Sequence, residues 1–239
     1  MAVSELGVRI VRYRDACRRG TGWMLSRQGL DGSLGPVAER LCYYRVPWAL
    51  ALVGERVAAA ACLDWIEGAM ISEEGEFEGV SPRGIFDQRY GSYPLACLLT
   101  GACLLERTDL VRRCLPRLLS WQDPDTGGFF NCREEMDTRG EQELFPTCQA
   151  GMTLLVAGRV DEAVRAGEWV VRLWARQPEL EERLFHVSRP YDGLVTDFPS
   201  ERAALYVTEK SDPWQHHFNG GISAAFLASL FLATGDTHW

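Results

Sequence analysis

The side chains best suited to chemistry gather in four short stretches, each just before or within the start of an apolar segment. "CYYRVPW" contributes Tyr43, Tyr44, Arg45 and Trp48, and "FDQRYGSYP" contributes Asp87, Arg89, Tyr90 and Tyr93. "GEQELFPTCQ" contributes Glu141, Glu143 and Gln149, and "DPWQHHFNGG" contributes Asp212, Trp214, His216, His217 and Asn219. Aromatic walls with a few convergent polar groups suit an apolar or partly cyclic small molecule, and aromatic faces stabilise a developing cation. Carboxylate and histidine together supply a general acid and base. The expected proton-transfer set is Asp212, His216 or His217, and Glu143. The expected substrate-binding set is Tyr43, Tyr44, Arg45, Trp48, Asp87, Arg89, Tyr93, Gln149, Asp192, Trp214 and Asn219.

His216 and His217 are neighbours, and neighbours on a regular helix point about 100° apart. No H-x-x-x-H spacing is present, so no metal or other cofactor is expected. Acid/base work and hydrogen bonding at a helix start remain open for the pair. The eight cysteines form no C-x-x-C pair and read as small buried residues in a reducing cytoplasm. The acidic loops at 73–79 and 133–143 suggest cation binding or paired-carboxylate sugar chemistry, without calcium-loop spacing.

These stretches must be positioned by helices. Segments 6–27, 55–71, 109–121 and 160–176 follow the three-and-four spacing of amphipathic outer helices, with Pro116 predicting a kink or a later start in the third. Between them lie "VPWALALVG", "YPLACLLTGACLL", "FPTCQAGMTLLVAG" and "GGISAAFLASLFLATG", apolar nearly all round and therefore expected inside. Pro47, Pro94 and Pro146 stand in the first turns of three of them, where proline's missing N–H has no partner to lose. Gly/Asp-rich loops join outer to inner segments. The predicted fold is all-α, an array of αα-hairpins in one domain over 1–239, with a β-hairpin-like insertion near 178–212. In that insertion "RLFHVS" and "ALYVTE" alternate like strands, and Tyr191, Asp192 and Asp197 are expected to face the cavity as parts of a flap.

A net charge of −8 argues against a nucleic-acid surface, and no apolar run reaches membrane length. The first residues carry charges where an export signal needs an apolar core, so a cytoplasmic protein is expected.

Gln28-x-x-Asp31-Gly32-Ser33-Leu34 and Gln122-x-x-Asp125-x-Gly127-Gly128-Phe129 resemble degenerate forms of the glutamine–tryptophan repeat of squalene and terpenoid cyclases, with Leu34 and Phe129 in the tryptophan's place. The resemblance implies the α/α toroid of terpenoid cyclases and protein prenyltransferases, with its active site in the cavity at one mouth. The cyclase Asp-x-Asp-Asp acid motif and the Asp-Asp-x-x-Asp magnesium motif are missing here. The prenyltransferase zinc set would fall on Cys148 and His216 or His217, but "FPTCQ" replaces its Asp-x-Cys. The expected function is a biosynthetic enzyme that cyclises or isomerises a small, largely apolar molecule by acid/base chemistry. A carbohydrate epimerase or hydrolase and a non-catalytic helper subunit are the alternatives. Four hairpins fall short of the five to seven of a complete ring, and "GDTHW" reads as the entry to another outer helix. A homodimer or a complementary subunit is therefore expected to cover the apolar flanks.

Overall fold

The computed structural model describes residues 5–34, 43–78, 91–137 and 139–239. The chain is mostly helical, with small sheets. The outer helices are α1 (Glu5–Arg27), α3 (Arg56–Met70), α5 (Thr108–Leu119) and α7 (Val160–Ala175). The apolar segments form α2 (Val46–Leu52), α4 (Ser92–Leu104), α6 (Leu144–Val156) and α8 (Phe218–Thr234). Periodicity explains the division. α3 buries Ala59, Cys62, Leu63, Ile66 and Met70 on one face, whereas α4 and α6 are buried almost all round. Helix α5 starts at its expected place and continues through Pro116 near its end.

Each outer helix from α3 on packs against the inner helix beside it, and α2, α4, α6 and α8 neighbour one another in chain order. The middle units repeat with one period. α3, α5 and α7 begin at Arg56, Thr108 and Val160, and α4 and α6 at Ser92 and Leu144, all 52 residues apart. The loops leaving α1, α3 and α5 make similar turns, bridged from Gln28 to Leu34, Ile71 to Phe77 and Gln122 to Phe129, the third one residue longer. One glycine in each turn takes a left-handed backbone: Gly32, Gly75 and Gly127, with φ of 87°, 84° and 82°. A Cβ there would lie 2.1, 2.4 and 2.2 Å from the carbonyl oxygens of Ala61, Arg113 and Arg165, in each case the sixth residue of the next outer helix. Only glycine permits both the backbone and the approach. The glutamines add a second tether. Gln28 donates to the Ala58 carbonyl at 2.8 Å and Gln122 to the Glu162 carbonyl at 2.9 Å, the third residues of α3 and α7.

The insertion is more than a hairpin. Strands β2 (Arg183–Phe185) and β5 (Val207–Glu209) pair antiparallel, Leu184 opposite Thr208, as the alternation predicts. Strand β3 (Val187–Arg189) instead leaves to pair with β1 (Gln142–Glu143) on one side and β4 (Gly193–Leu194) on the other. Val187, Val195 and Tyr206 give the insertion a small core of its own, with Phe198 and Leu205 packed against it.

One expectation needs correction. Helix α8 is apolar all round yet buries only the stripe Asn219, Ser223, Phe226 and Leu230, because among the described residues it packs mainly against α6 and α7; Phe231 and Leu232 are exposed. Residues 235–239 follow α8 without helical backbone. They turn back so that Trp239 packs over Gly167 of α7. Exposed apolar side chains also line α1 (Leu6, Ile10, Tyr13, Trp23). These are the flanks that the hairpin count assigned to a second chain. Among the described residues no helix is long and apolar enough to cross a membrane.

Candidate functional site

The starts of the inner helices meet. Tyr44 before α2 lies edge-on to Tyr93 in the first turn of α4, centroids 6.0 Å apart. Tyr93 meets Phe145 of α6 at 5.0 Å, Phe145 meets Phe218 of α8 at 5.5 Å, and Phe218 meets His216 at 5.4 Å. Arg45 sits over the Tyr44 and Tyr93 rings at 5.5 and 5.1 Å and donates to the Tyr93 hydroxyl. Edge-to-face geometry of this kind is the favoured arrangement of aromatic quadrupoles. Burial pushes the Tyr93 phenol up, so it stays protonated.

Other expected site residues have structural duties. Tyr43 stacks on Trp65, and its hydroxyl accepts the Leu34 N–H. Trp48 packs on the core, and Gln149 is buried, donating to Thr153. Asp212 organises the loop before α8: its carboxylate accepts the Trp214 N–H and the Gln215 amide, and its carbonyl lies 2.7 Å from His217 Nε2. The Trp214 backbone bond, then Gln215, hold the Asp212 carboxyl below the usual range, which suits an acceptor and not a proton donor. The same turn directs Trp214 outward, 92% exposed, so it is no cavity wall. Strand β5 fixes this loop through Thr208 to the His216 carbonyl and the Glu209 N–H to Gln215. Asp87, Arg89 and Tyr90 lie outside the described residues.

A polar cleft of about 680 Å³ opens between the 131–141 loop and the insertion. Glu135, Asp137, Glu141 and Asp192 line it against Arg139, Arg189 and Arg202, with Asn131, Cys132 and Tyr206. Its floor follows from strand alternation. Around Gln142 the chain is extended, so Glu141 and Glu143 share one side and Gln142 takes the other, bonded to Asp123, Thr126 and Trp169. The Glu141 carboxylate accepts Arg189 at 2.9 Å and the Tyr206 hydroxyl at 3.0 and 3.2 Å. One step deeper, Glu143 accepts the Asn131 amide at 3.1 Å, and its other oxygen lies 3.4 Å from Nδ1 of the fully buried His186. That is ion-pair distance without hydrogen-bond alignment, and His186 Nε2 has no hydrogen-bond partner among the described residues. With its nitrogen committed to Glu143, Asn131, which lines the cleft, keeps a buried carbonyl oxygen without a hydrogen-bond partner among the described residues. The backbone holds this group together, with the Asn131 N–H on the Glu141 carbonyl, the Leu144 N–H on the His186 carbonyl and the His186 N–H on the Tyr206 carbonyl.

Glu143 and Asp192 therefore belong with this cleft, whereas Asp212 and the neighbouring histidines belong to the loop before α8. Asn131, His186, Arg189 and Tyr206 were not singled out from the sequence. Their one signal there was the alternation of "RLFHVS" and "ALYVTE", which placed a histidine and a tyrosine on strand-like positions without saying what they face. Among the described residues no group of three or more His, Cys, Asp or Glu could hold a metal ion. Burial pushes the Cys97 thiol up to about 12 and drives Cys148 upward too, away from the thiolate that metals and nucleophilic chemistry require. Comparison with known protein families, with curated proteins and with solved structures finds no match for this chain.

Proposed function

We propose that this protein is an enzyme of the α/α-toroid type that binds a polar, hydroxyl-bearing small molecule in the cleft and acts on it by general acid–base catalysis, as a carbohydrate epimerase or hydrolase would. One observation carries the reading: a glutamate at the floor of a polar cleft, with a second, buried glutamate beneath it on the same side of the extended chain, in different surroundings. Glu141 touches Arg189 and Tyr206; Glu143 touches Asn131 and His186. The volume falls within the range of small-molecule sites. Four carboxylates against three guanidiniums favour a neutral or zwitterionic ligand with many hydroxyls over a hydrocarbon. In this assignment Glu141 exchanges the proton, Tyr206 orients it, and the Asn131 carbonyl accepts a ligand O–H or N–H. The repeated hairpins and the glutamine tethers support the toroid reading.

The test is a calorimetric screen of neutral, amino and acidic monosaccharides, followed by turnover of whichever binds. Glu141→Gln should lower turnover about 10²–10⁴-fold, and Asn131→Ala should weaken binding. Binding of isoprenoid alcohols alone, indifferent to both substitutions, would overturn the assignment. That outcome would instead favour a second reading, a cyclase-like site for a largely apolar molecule, which the aromatic chain from Tyr44 to His216 supports.

A further inference from the structure

The geometry points to a second site, a pocket for a phosphate-sized oxyanion behind β1. Gln142 faces away from the cleft, and on its side lies a cavity of about 120 Å³ bordered by Arg172, Arg176, Arg189, Thr126, Trp169 and Asp125. Helix α7 supplies most of one wall. Trp169 and Arg172 of α7 and Arg176, the residue that caps its end, follow at three- and four-residue intervals and so lie on one side. Two guanidiniums one turn apart repel each other, and neither Arg172 nor Arg176 has a carboxylate within ion-pair distance among the described residues. Arg172 is held by the Thr126 carbonyl, and Arg176 lies beneath the left-handed turn at Gly193. Arg189 borders both spaces and is paired with Glu141 on the cleft side. Asp125 is the single carboxylate at the cavity.

Guanidinium forks match the oxygens of phosphate in pairs, and in a partly enclosed site such bonds are stronger than in water. The cavity is much smaller than the cleft and has room for a tetrahedral oxyanion. The Thr126 and Ser188 hydroxyls at the cavity add neutral donors. The site lies on the opposite side of β1 from the cleft and does not depend on the function assigned there. The phosphoryl group comes either from free inorganic phosphate or from a phosphorylated ligand whose body occupies the cleft past Arg189.

The experiment is titration of the full chain with inorganic phosphate, followed by calorimetry and ³¹P NMR. Arg176→Gln and Arg172→Gln should each weaken phosphate binding at least tenfold, on the order of one lost charge-assisted bond. Arg176→Lys, which keeps the charge and loses the fork, should weaken binding less than Arg176→Gln, Asp125→Asn should tighten it, and Arg139→Gln in the cleft should leave it unchanged. Glucose, glucose 6-phosphate and phosphate titrated side by side separate the two sources. Glucose 6-phosphate binding more tightly than phosphate, and losing that advantage in Glu141→Gln, identifies a phosphorylated cleft ligand; phosphate binding equally well identifies the free anion. Absence of phosphate binding at millimolar concentration overturns the site, as does binding that neither Asp125→Asn nor the arginine substitutions alter. If Arg176→Gln fails to fold, Asp125→Asn and Arg176→Lys decide the matter by themselves.

Discussion

At the residue scale the cleft floor shows how little separates a catalytic group from a structural one. Glu141 and Glu143 are the same residue type two positions apart, yet Glu141 lines the cleft and Glu143 lies beneath it, 1% exposed. Glu143 is placed to hold others: it accepts the Asn131 amide, and it faces His186. Removing one partner of a buried polar pair is costly because the other stays behind without water. Glu143→Ala should therefore lower unfolding stability by about 3–5 kcal/mol. Glu143→Gln, which keeps an acceptor for Asn131, should cost clearly less. Urea denaturation followed by circular dichroism measures both, and equal losses would mean that shape and not hydrogen bonding is what Glu143 provides. Asp212 is the contrasting case. It stood beside Glu143 in the set expected to transfer protons, but its carboxylate is engaged with Trp214 and Gln215.

At the scale of elements, the decisive device is the glycine turn that docks each loop on the next outer helix. Gly127 and Gly158 both adopt left-handed backbones, with φ of 82° and 76°. They differ in surroundings: a Cβ on Gly127 would meet the Arg165 carbonyl at 2.2 Å, whereas one on Gly158 meets nothing within 4 Å. Gly158→Ala should thus cost only the left-handed backbone penalty, about 1–2 kcal/mol. Gly127→Ala pays that penalty and must also push α7 away from its loop, so it should lose more and lower cooperativity. Similar melting temperatures for the two variants would show that the loop can withdraw from α7 without cost.

At the scale of the whole molecule, ionic contacts tie successive outer helices. Arg107, just before α5, bonds Asp64 and Glu67 of α3 and Asp109 of its own helix, and Arg113 also reaches Glu67. The Arg107 hydrogen bond holds the Asp109 carboxyl at about 2, below its ordinary 3.8. A carboxyl depressed in the folded state contributes stability that is complete above about pH 4 and lost as pH falls toward 2. Asp109 is largely exposed, so the effect is small and screened by salt. In denaturant titrations at low salt, Asp109→Asn should be less stable than the parent at pH 6, and the gap should narrow by pH 2.5. A gap independent of pH would show that the charge is not what Asp109 contributes.

The sequence by itself determined the helices, their division into amphipathic and apolar sets, and their repetition, because the 3.6-residue period and the Pro and Gly signals act over a few residues. It also marked Glu143, the four helix starts that meet in the aromatic chain, and the strands of the insertion. Only the tertiary structure decided what those side chains face. The partners of Glu141 and Glu143 lie at Asn131, His186, Arg189 and Tyr206, joined to them by β3 crossing to β1, and no local pattern encodes a pairing between segments some 45 residues apart. Trp214 went outward for the same reason: its type favoured a cavity wall, but the bond from its backbone to Asp212 set the turn. The three glycine contacts belong to both levels. Their spacing is written in the chain, and their purpose appears only when the next helix arrives to press against them.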